Sequence, residues 1–300
     1  MSKVFFYWGN EEMSWLRYMT LYSFRVLNPD WDITLYRDKT PVKHRPWQNP
    51  DEQDFFNFRG EDYAPKIDAL GINVKDWNPR ELTVEERLDL ANSTGGIDLE
   101  EAAVPAEAGP SHRSNFFKWH MLGTQGGVYS DMDILFTRPI SQFWETYKEY
   151  DTVLTWDGGY FLIGFMASSG SNEVFQSAYK SAHRIFNPKV YQGVGQMAVF
   201  DSIGCEFGDL GSASAMQKKY PNNTIGFFPM DTVYPYRYFQ MQEIFRKLNK
   251  SLPEDCIGLH WFAGQELSQR ANNSLHSSNY MLQETTISYF ADNLIRSVCR

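Results

Sequence analysis

The hydrophobic pattern at the start of the chain changes its period twice. An apolar run from Val4 to Trp8 ends at a Gly-Asn pair, which is typical of a buried strand that closes in a turn. Residues Ser14 to Val26 then carry apolar side chains at helical spacing, and an Asn-Pro-Asp sequence breaks this helix. A second strand follows from Asp32 to Tyr36. This order of strand, helix and strand predicts a parallel α/β sheet with a ligand site at the carboxyl ends of its strands.

The next segment, from Lys39 to about Pro110, is different because it is rich in Pro, Asp, Glu, Asn and Gly. Its pattern predicts one helix, from about Val84 to Asn92. We interpret the 300 residues as a single domain in which the segment 39–110 is an insertion or flap; an ordinary loop is the alternative.

Regular patterns resume after this segment and continue the alternation of strands and helices. We predict helices from Ser111 to Thr124, Ser141 to Tyr147 and Asn172 to Phe186, a further helix that opens near Gln196, and strands at Thr152 to Trp156, Tyr160 to Ala167 and Cys256 to Trp261. The expected architecture is therefore α/β, with a mixed, mostly parallel sheet flanked by helices.

The stretch from Gly126 to Asp133, with the sequence Gly-Gly-Val-Tyr-Ser-Asp-Met-Asp, carries the most specific chemistry. Asp131 and Asp133 share one face of a strand, and a bend near Met132 would bring the two carboxylates onto one ion. Hard cations such as Mg²⁺ or Mn²⁺ prefer oxygen ligands, and Mg²⁺ commonly recruits phosphates of a substrate as well. The stretch thus predicts a metal site for a phosphorylated or nucleotide-activated ligand; two exposed turn aspartates are the alternative.

Composition and charge narrow the class of partner. The net charge is −9 and no basic run occurs, which argues against nucleic acid as a partner. The sequence shows no leader peptide and no membrane span, and its three widely separated cysteines, Cys205, Cys256 and Cys299, fit reduced thiols. These features together predict a cytoplasmic protein.

Several separated segments resemble the glycosyltransferases of the GT-A fold that carry a DXD motif. The closest likeness is to the retaining group that includes yeast initiating mannosyltransferases, bacterial capsule enzymes and the catalytic domains of clostridial glucosylating toxins. The matching segments are the Gly-Gly-x-Tyr-x-Asp-x-Asp strand ending at Asp133, the helix around Ser114, the strand ending at Trp8, and the late His-Trp pair at His260. The resemblance covers residues 1–38 and 111–265 and implies a metal-dependent hexosyltransferase that retains anomeric configuration.

Two residues depart from the family pattern. The family has Asp and Arg on the helix where this chain has Asn115 and Lys118. An Asn side chain carries no charge and offers one donor group and one acceptor group, so the family pattern no longer indicates which donor sugar is used. Lys118 keeps the positive charge for a diphosphate but lacks the bidentate fork of Arg.

The resemblance implies a role for each candidate residue. Asp131, Asp133 and His260 are the expected ligands of Mn²⁺ or Mg²⁺, although a backbone contact would also account for His260. Five residues are expected to bind the donor, a UDP- or GDP-sugar: Trp8, Asn115, Lys118, Asp131 and Trp261. For Trp8 and Lys118 the alternatives are strand packing and a solvated helix position.

Asp157 and Gln196 are the candidates for a catalytic role near the sugar, with ordinary turn or cap roles as the alternative. The acceptor stays open among a glycan, a lipid-linked sugar, a small molecule and a protein side chain.

Two other functional classes fit the Asp-x-Asp sequence. A phosphohydrolase of the haloacid dehalogenase type is disfavoured because that family has Thr or Val two residues after the second Asp, where this chain has Leu135. A nucleotide-sugar binding protein without turnover stays an alternative because Asn115 and Lys118 depart from the family pattern.

Overall fold

The computed structural model of the chain describes residues 2–39, 42, 58–92 and 101–298. Its strands are β1 (Lys3–Trp8), β2 (Asp32–Asp38), β3 (Asn73–Trp77), β4 (Arg80–Leu82), β5 (Ala103–Pro105), β6 (Gly127–Ser130), β7 (Ile134–Phe136), β8 (Thr152–Trp156), β9 (Phe161–Ser168), β10 (Ile225–Phe228) and β11 (Gly258–His260). Its α-helices are α1 (Trp15–Leu27), α2 (Val84–Asn92), α3 (Pro110–Thr124), α4 (Ser141–Tyr147), α5 (Glu173–Ile185), α6 (Gln196–Ile203), α7 (Ser212–Lys219), α8 (Met241–Phe245), α9 (Glu266–Ser274) and α10 (Thr286–Val298).

The main sheet has seven strands in the order β10-β8-β9-β6-β1-β2-β3. All neighbouring pairs are parallel except those of β9, which runs antiparallel to both β6 and β8. The predicted mixed, mostly parallel sheet flanked by helices is therefore confirmed. Two small sheets, β7 with β11 and β4 with β5, lie outside it.

The first strand shows why both faces of the sheet are covered. Val4 and Phe6 belong to a core cluster with residues of α1, whereas Phe5 and Tyr7 belong to a cluster with residues of α3 and α5. Alternate side chains of a strand point to opposite faces, so a continuous apolar run fits a strand buried on both sides. A third cluster packs the outer face of α1 against α8, α9 and α10. The carboxyl ends of β1 and β6 border the cleft described below.

The first helix begins where the sequence predicts it. The hydroxyl of Ser14 caps α1 by accepting a hydrogen bond from the N–H of Arg17. Asn28 ends the helix, and its side chain donates to the carbonyl of Phe24.

The segment after β2 contains more regular structure than the sequence predicts. Helix α2 has the predicted bounds, Val84–Asn92, but β3 extends the main sheet and β4 pairs with β5. The sequence of β3, Asn-Val-Lys-Asp-Trp, is mostly exposed, as expected for an edge strand, and it lacks the alternation that identifies half-buried strands. Residues 40–41, 43–57 and 93–100 of this segment, like Cys299, lie outside the described residues. The single-domain organisation with an insertion stays a prediction.

The described helices include none with the length and apolar character needed to span a bilayer.

Candidate active site

Two distant parts of the chain meet at the end of β6. The chain leaves the main sheet after Ser130, turns through Met132, and continues as β7, which pairs antiparallel with β11. In that pairing His260 lies opposite Ile134, and the N–H of Trp261 donates to the carbonyl of Asp133 at 2.9 Å. The predicted bend near Met132 is therefore present, and the β7–β11 register delivers the imidazole to the carboxylates.

Asp131, Asp133 and His260 form a group of possible metal ligands. One ligand atom from each residue lies within 4.8 Å of the other two. Asp133 and His260 are buried and Asp131 is half-buried. Two carboxylates and an imidazole at this spacing suit a divalent cation that accepts oxygen and nitrogen ligands.

The Asp131 carboxylate accepts two side-chain hydrogen bonds at its Oδ1 atom. Tyr129 Oη donates to this oxygen at 2.6 Å and Lys118 Nζ at 3.0 Å. Burial, reinforced by the negative charge of Asp131, raises the pKa of Tyr129 well above its usual value, so the phenol stays a donor. Ser114 Oγ lies 3.0 Å from the same phenol oxygen.

The Asp133 carboxylate is held from the other side. The N–H of Ala263 donates to Oδ2 at 2.8 Å, and Oδ1 lies 3.2 Å from His260 Nε2. Burial opposes ionisation, but His260, Arg17 and the Ala263 hydrogen bond outweigh it, so the pKa of Asp133 lies below its usual value.

The His260 ring is oriented by its backbone neighbour. The N–H of Phe262 donates to Nδ1 at 3.2 Å, which leaves the ring proton on Nε2, facing Asp133. Burial lowers the pKa of His260 in spite of the two aspartates. Phe262 has a φ of +39°, a left-handed conformation that is uncommon for a bulky residue and is found at functional sites. His260 therefore accepts a hydrogen bond from the backbone and also lies next to the Asp133 carboxylate.

A glycine keeps the space beside these ligands open. Gly164 bridges two segments, because its carbonyl accepts from the N–H of Asp131 at 2.7 Å and its N–H donates to Tyr234 Oη at 2.9 Å. A Cβ atom built on Gly164 would lie 2.9 Å from each of three atoms: Asp131 Oδ2, His260 Nε2 and Tyr234 Oη. Any side chain at this position would therefore fill the volume that the ligand atoms surround. The pairing of β8 with β9 shifts register next to this point, as is common beside active sites.

The ligand group lies between two lobes of one cleft. The first lobe has a volume of about 150 Å³ and is bordered by the ends of β1 and α1, including Trp8 and Arg17. The second lobe has a volume of about 120 Å³ and is bordered by β9, the start of α6 and the loop after β10. Both lobes share four residues: Asn115, Lys118, Asp131 and Tyr191.

Most of the residues selected from the sequence border this cleft. Trp8 and Asp133 line the first lobe, His260 and Gln196 line the second, and Asn115, Lys118 and Asp131 line both. Lys118 is not a solvated helix residue, because it is buried and its Nζ bonds to Asp131 and to the carbonyl of Ile163.

Two of the selected residues line neither lobe. Asp157 is exposed in the β8–β9 turn, where Oδ1 accepts from the N–H groups of Gly159 and Tyr160. Trp261 is fully buried, and its ring lies 4.9 Å from the guanidinium carbon of Arg17.

Sequence reasoning missed four residues of the site: Arg17, Tyr129, Gly164 and Tyr234. Arg17 lies between the rings of Trp8 and Trp261, with its guanidinium carbon 5.2 Å from the Trp8 centroid. Tyr129 belongs to the Gly-Gly-x-Tyr motif, so the motif itself could have identified it. Gly164 and Tyr234 carry no local signal, because only the packing of β9 against the loop after β10 joins them.

One family of known proteins matches a segment that includes Asp131 and Asp133. Residues 13–153 match the family described as glycosyltransferase sugar-binding region containing DXD motif. No curated protein matches the chain.

Several solved structures are similar to the chain at low identity. The PaToxG glycosyltransferase is 12% identical, with a TM-score of 0.43, over 98% of this chain and 87% of that one. The glycosyltransferase GlyE of Streptococcus pneumoniae TIGR4 is 11% identical, with a TM-score of 0.41, over 99% of this chain and 64% of that one. The galactosyltransferase LgtC, solved with donor and acceptor sugar analogues, is 12% identical, with a TM-score of 0.40, over 98% of this chain and 95% of that one.

Proposed function

We propose that this glycosyltransferase, whose residues 13–153 carry the DXD-containing sugar-binding region, uses a divalent metal to move a sugar from a nucleoside diphosphate to an acceptor hydroxyl. The observation that carries the proposal is the meeting of Asp131, Asp133 and His260 between the two lobes of one cleft. We also propose a cytoplasmic location, on the basis of the sequence alone.

The ligand set fits Mn²⁺ better than Mg²⁺. Carboxylates suit both ions, but an imidazole ligand is less suited to Mg²⁺, which prefers oxygen. Asp131 Oδ2 and Asp133 Oδ1 would be the oxygen ligands, since the other oxygen of each carboxylate is held by protein donors. Binding through His260 Nε2 requires the proton to leave that atom. A bound metal would offset the negative charge that develops on the leaving diphosphate.

The two lobes suit the two ends of a nucleotide sugar. In the first lobe, the Trp8 ring offers a face for the base, and Arg17 and Lys118 supply positive charge for the diphosphate. A UDP- or GDP-sugar is the donor class proposed. The sugar would then extend into the second lobe, where Asn115, Gln196 and Tyr234 provide groups for its hydroxyls.

In the transfer itself, the bond between the anomeric carbon and the diphosphate oxygen breaks. A bond forms between that carbon and the acceptor oxygen, the proton of the acceptor hydroxyl passes to the oxygen of the departing diphosphate, and a nucleoside diphosphate leaves. Among the described residues that line the second lobe, the carboxylate is Asp131, which Tyr129 and Lys118 already hold. This favours retention through front-side attack rather than through a carboxylate nucleophile. Gln196 is the lobe residue proposed to assist, whereas Asp157 lies outside both lobes.

A thermal-shift panel tests the donor and the metal together. We expect one of UDP-, GDP-, CMP- or dTDP-sugars to raise the melting temperature only with Mn²⁺, because a ligand that binds the native state stabilises it by mass action. Asp133→Asn should remove that shift and lower the transfer rate by about 10³-fold, since it takes away a charged ligand while keeping the Ala263 acceptor.

Asp68→Asn is the matched control, because Asp68 is exposed and lines neither lobe. Undiminished transfer by Asp133→Asn would contradict the metal model. A shift without any release of nucleoside diphosphate would instead support a binding protein, the class that the departures from the family pattern at Asn115 and Lys118 keep open. Lys118 keeps a positive charge beside Asp131, which supports turnover.

A further inference from the structure

A cluster of exposed apolar side chains extends beyond the second lobe. Tyr160 is 42% exposed, Phe207 44% and Leu210 76%. The Tyr160 and Phe207 rings lie 5.1 Å apart, and the Leu210 Cδ2 atom is 3.9 Å from the Cβ position of Gly159. We call these three residues the aromatic platform. Phe207 packs on the buried ring of Phe200, so the platform is anchored to the core.

The platform and the second lobe are built on the same two elements. Tyr160 directly precedes β9, which reaches the ligand group at Gly164, and Leu162 between them lines the second lobe. Helix α6 starts at Gln196 in that lobe and ends at Ile203, just before the loop that carries Phe207. Four residues of strand span at most about 13 Å, so the platform lies within a few sugar units of the transfer point.

The charged residues around the platform indicate which class of ligand it can bind. Exposed carboxylates of Asp157, Glu206 and Asp209 flank it in the same two loops. An aromatic face attracts the partly positive C–H groups of a sugar ring, and carboxylates accept hydrogen bonds from sugar hydroxyls. Anionic sugars, phospholipid headgroups and polyphosphates would be repelled by the same carboxylates.

We infer that the aromatic platform binds the inner residues of an uncharged oligosaccharide acceptor, whose terminal hydroxyl reaches the second lobe. The inference rests on the proposed function, because it assigns the acceptor of that same transfer. Stacking on two rings should make longer acceptors better substrates until the chain covers both rings.

The test compares acceptors of increasing length with the wild type and two variants. Malto-, cello- and chito-oligosaccharides of one to four units are supplied with the nucleotide sugar that raises the melting temperature in the thermal-shift panel, and kcat/KM is measured for each length. We expect kcat/KM of the wild type to rise by about tenfold or more from one unit to three or four units in one series. Tyr160→Ala combined with Phe207→Ala should abolish this rise. The matched control is Tyr150→Ala, a half-exposed tyrosine that precedes the opposite end of β8, and it should keep the rise.

Release of nucleoside diphosphate without acceptor distinguishes a failure of the proposed function from a failure of the acceptor site. If no variant and no wild-type sample hydrolyses any donor, the proposed function fails. Donor hydrolysis with no transfer to any oligosaccharide, or a length dependence that the double variant retains, overturns the platform. A third outcome also overturns the platform as an oligosaccharide site, in favour of a lipid-like acceptor. In that outcome a single sugar with an octyl chain reaches the kcat/KM of the best oligosaccharide, and the double variant lowers this kcat/KM.

Discussion

The two lobes of the cleft differ in what they offer to a ligand. The first lobe contains Glu11, Arg17 and Asp133 in addition to the shared Lys118 and Asp131, so charges dominate it. The second lobe adds mainly amides, aromatic rings and apolar side chains to the shared charges, with His260 at the boundary. Charged groups suit a metal-bound diphosphate, whereas amide and phenol groups suit hydroxyls. The difference teaches that one cleft joins a lobe rich in charged groups to a lobe of amide, aromatic and apolar groups, which is the division that the proposed function uses.

The strongest test of this separation is Gly164→Ala. The added methyl group would lie 2.9 Å from Asp131 Oδ2, His260 Nε2 and Tyr234 Oη, so a ligand or the metal must move. We expect Mn²⁺ affinity, measured by calorimetry, to fall by about 10- to 100-fold, the range for disturbed metal surroundings. Binding of a nucleoside diphosphate without metal should be unchanged, because it uses the first lobe.

Gly264→Ala is the matched control for the alanine change at Gly164. Gly264 borders the first lobe, but a Cβ atom there meets nothing within 4 Å. Equal losses of Mn²⁺ affinity in both variants would break the distinction between the lobes.

Two buried histidines outside the cleft predict an acid-sensitive fold. Burial lowers the pKa of His120 to about 4 and that of His183 to about 3. The unfolded chain therefore binds more protons than the native protein below pH 6.5, and the free energy of unfolding falls as the pH drops. We expect a loss of about 1.4 kcal/mol per pH unit per histidine between pH 6.5 and 5, measured by urea unfolding.

His183→Leu should reduce this slope, because it removes one titrating ring that packs between Phe116 and Tyr179. His276→Leu is the control, since His276 is half-buried near the surface. An unchanged slope in His183→Leu would contradict the assignment of part of the acid sensitivity to His183. The affinities for Mn²⁺ and for a nucleoside diphosphate should accordingly be measured above pH 6.5.

The smallest effect is expected for Arg17→Lys. The guanidinium group lies on the rings of Trp8 and Trp261, and Lys keeps the charge but loses the planar stacking. We expect the Kd of a nucleoside diphosphate with Mn²⁺ to rise by about tenfold, with KM for the acceptor unchanged. Arg25→Lys is the control, because Arg25 bonds to the backbone carbonyl of Pro29. A change in acceptor KM would show that Arg17 acts on both lobes.

The parts of the site that the sequence revealed are those whose residues lie close together along the chain. The Gly-Gly turn, the two aspartates and the bend near Met132 lie within one short stretch, and the neighbouring elements follow from hydrophobic period and capping residues. The predicted bounds of β8 and α4 agree with the structure to the residue. Edge strand β3 was missed because its exposed residues have no apolar alternation to detect.

The sequence by itself thus determined the strands and helices that have a clear hydrophobic period or capping residues, the two carboxylates and the class of reaction that they suit. The tertiary structure alone decided the partners of those carboxylates: the β7–β11 register brings in His260, and antiparallel β9 brings Gly164 against Asp131. The physical reason is that period and turn preferences are short-range properties. The volume left open among Asp131, His260 and Tyr234 depends instead on how distant strands and loops pack together.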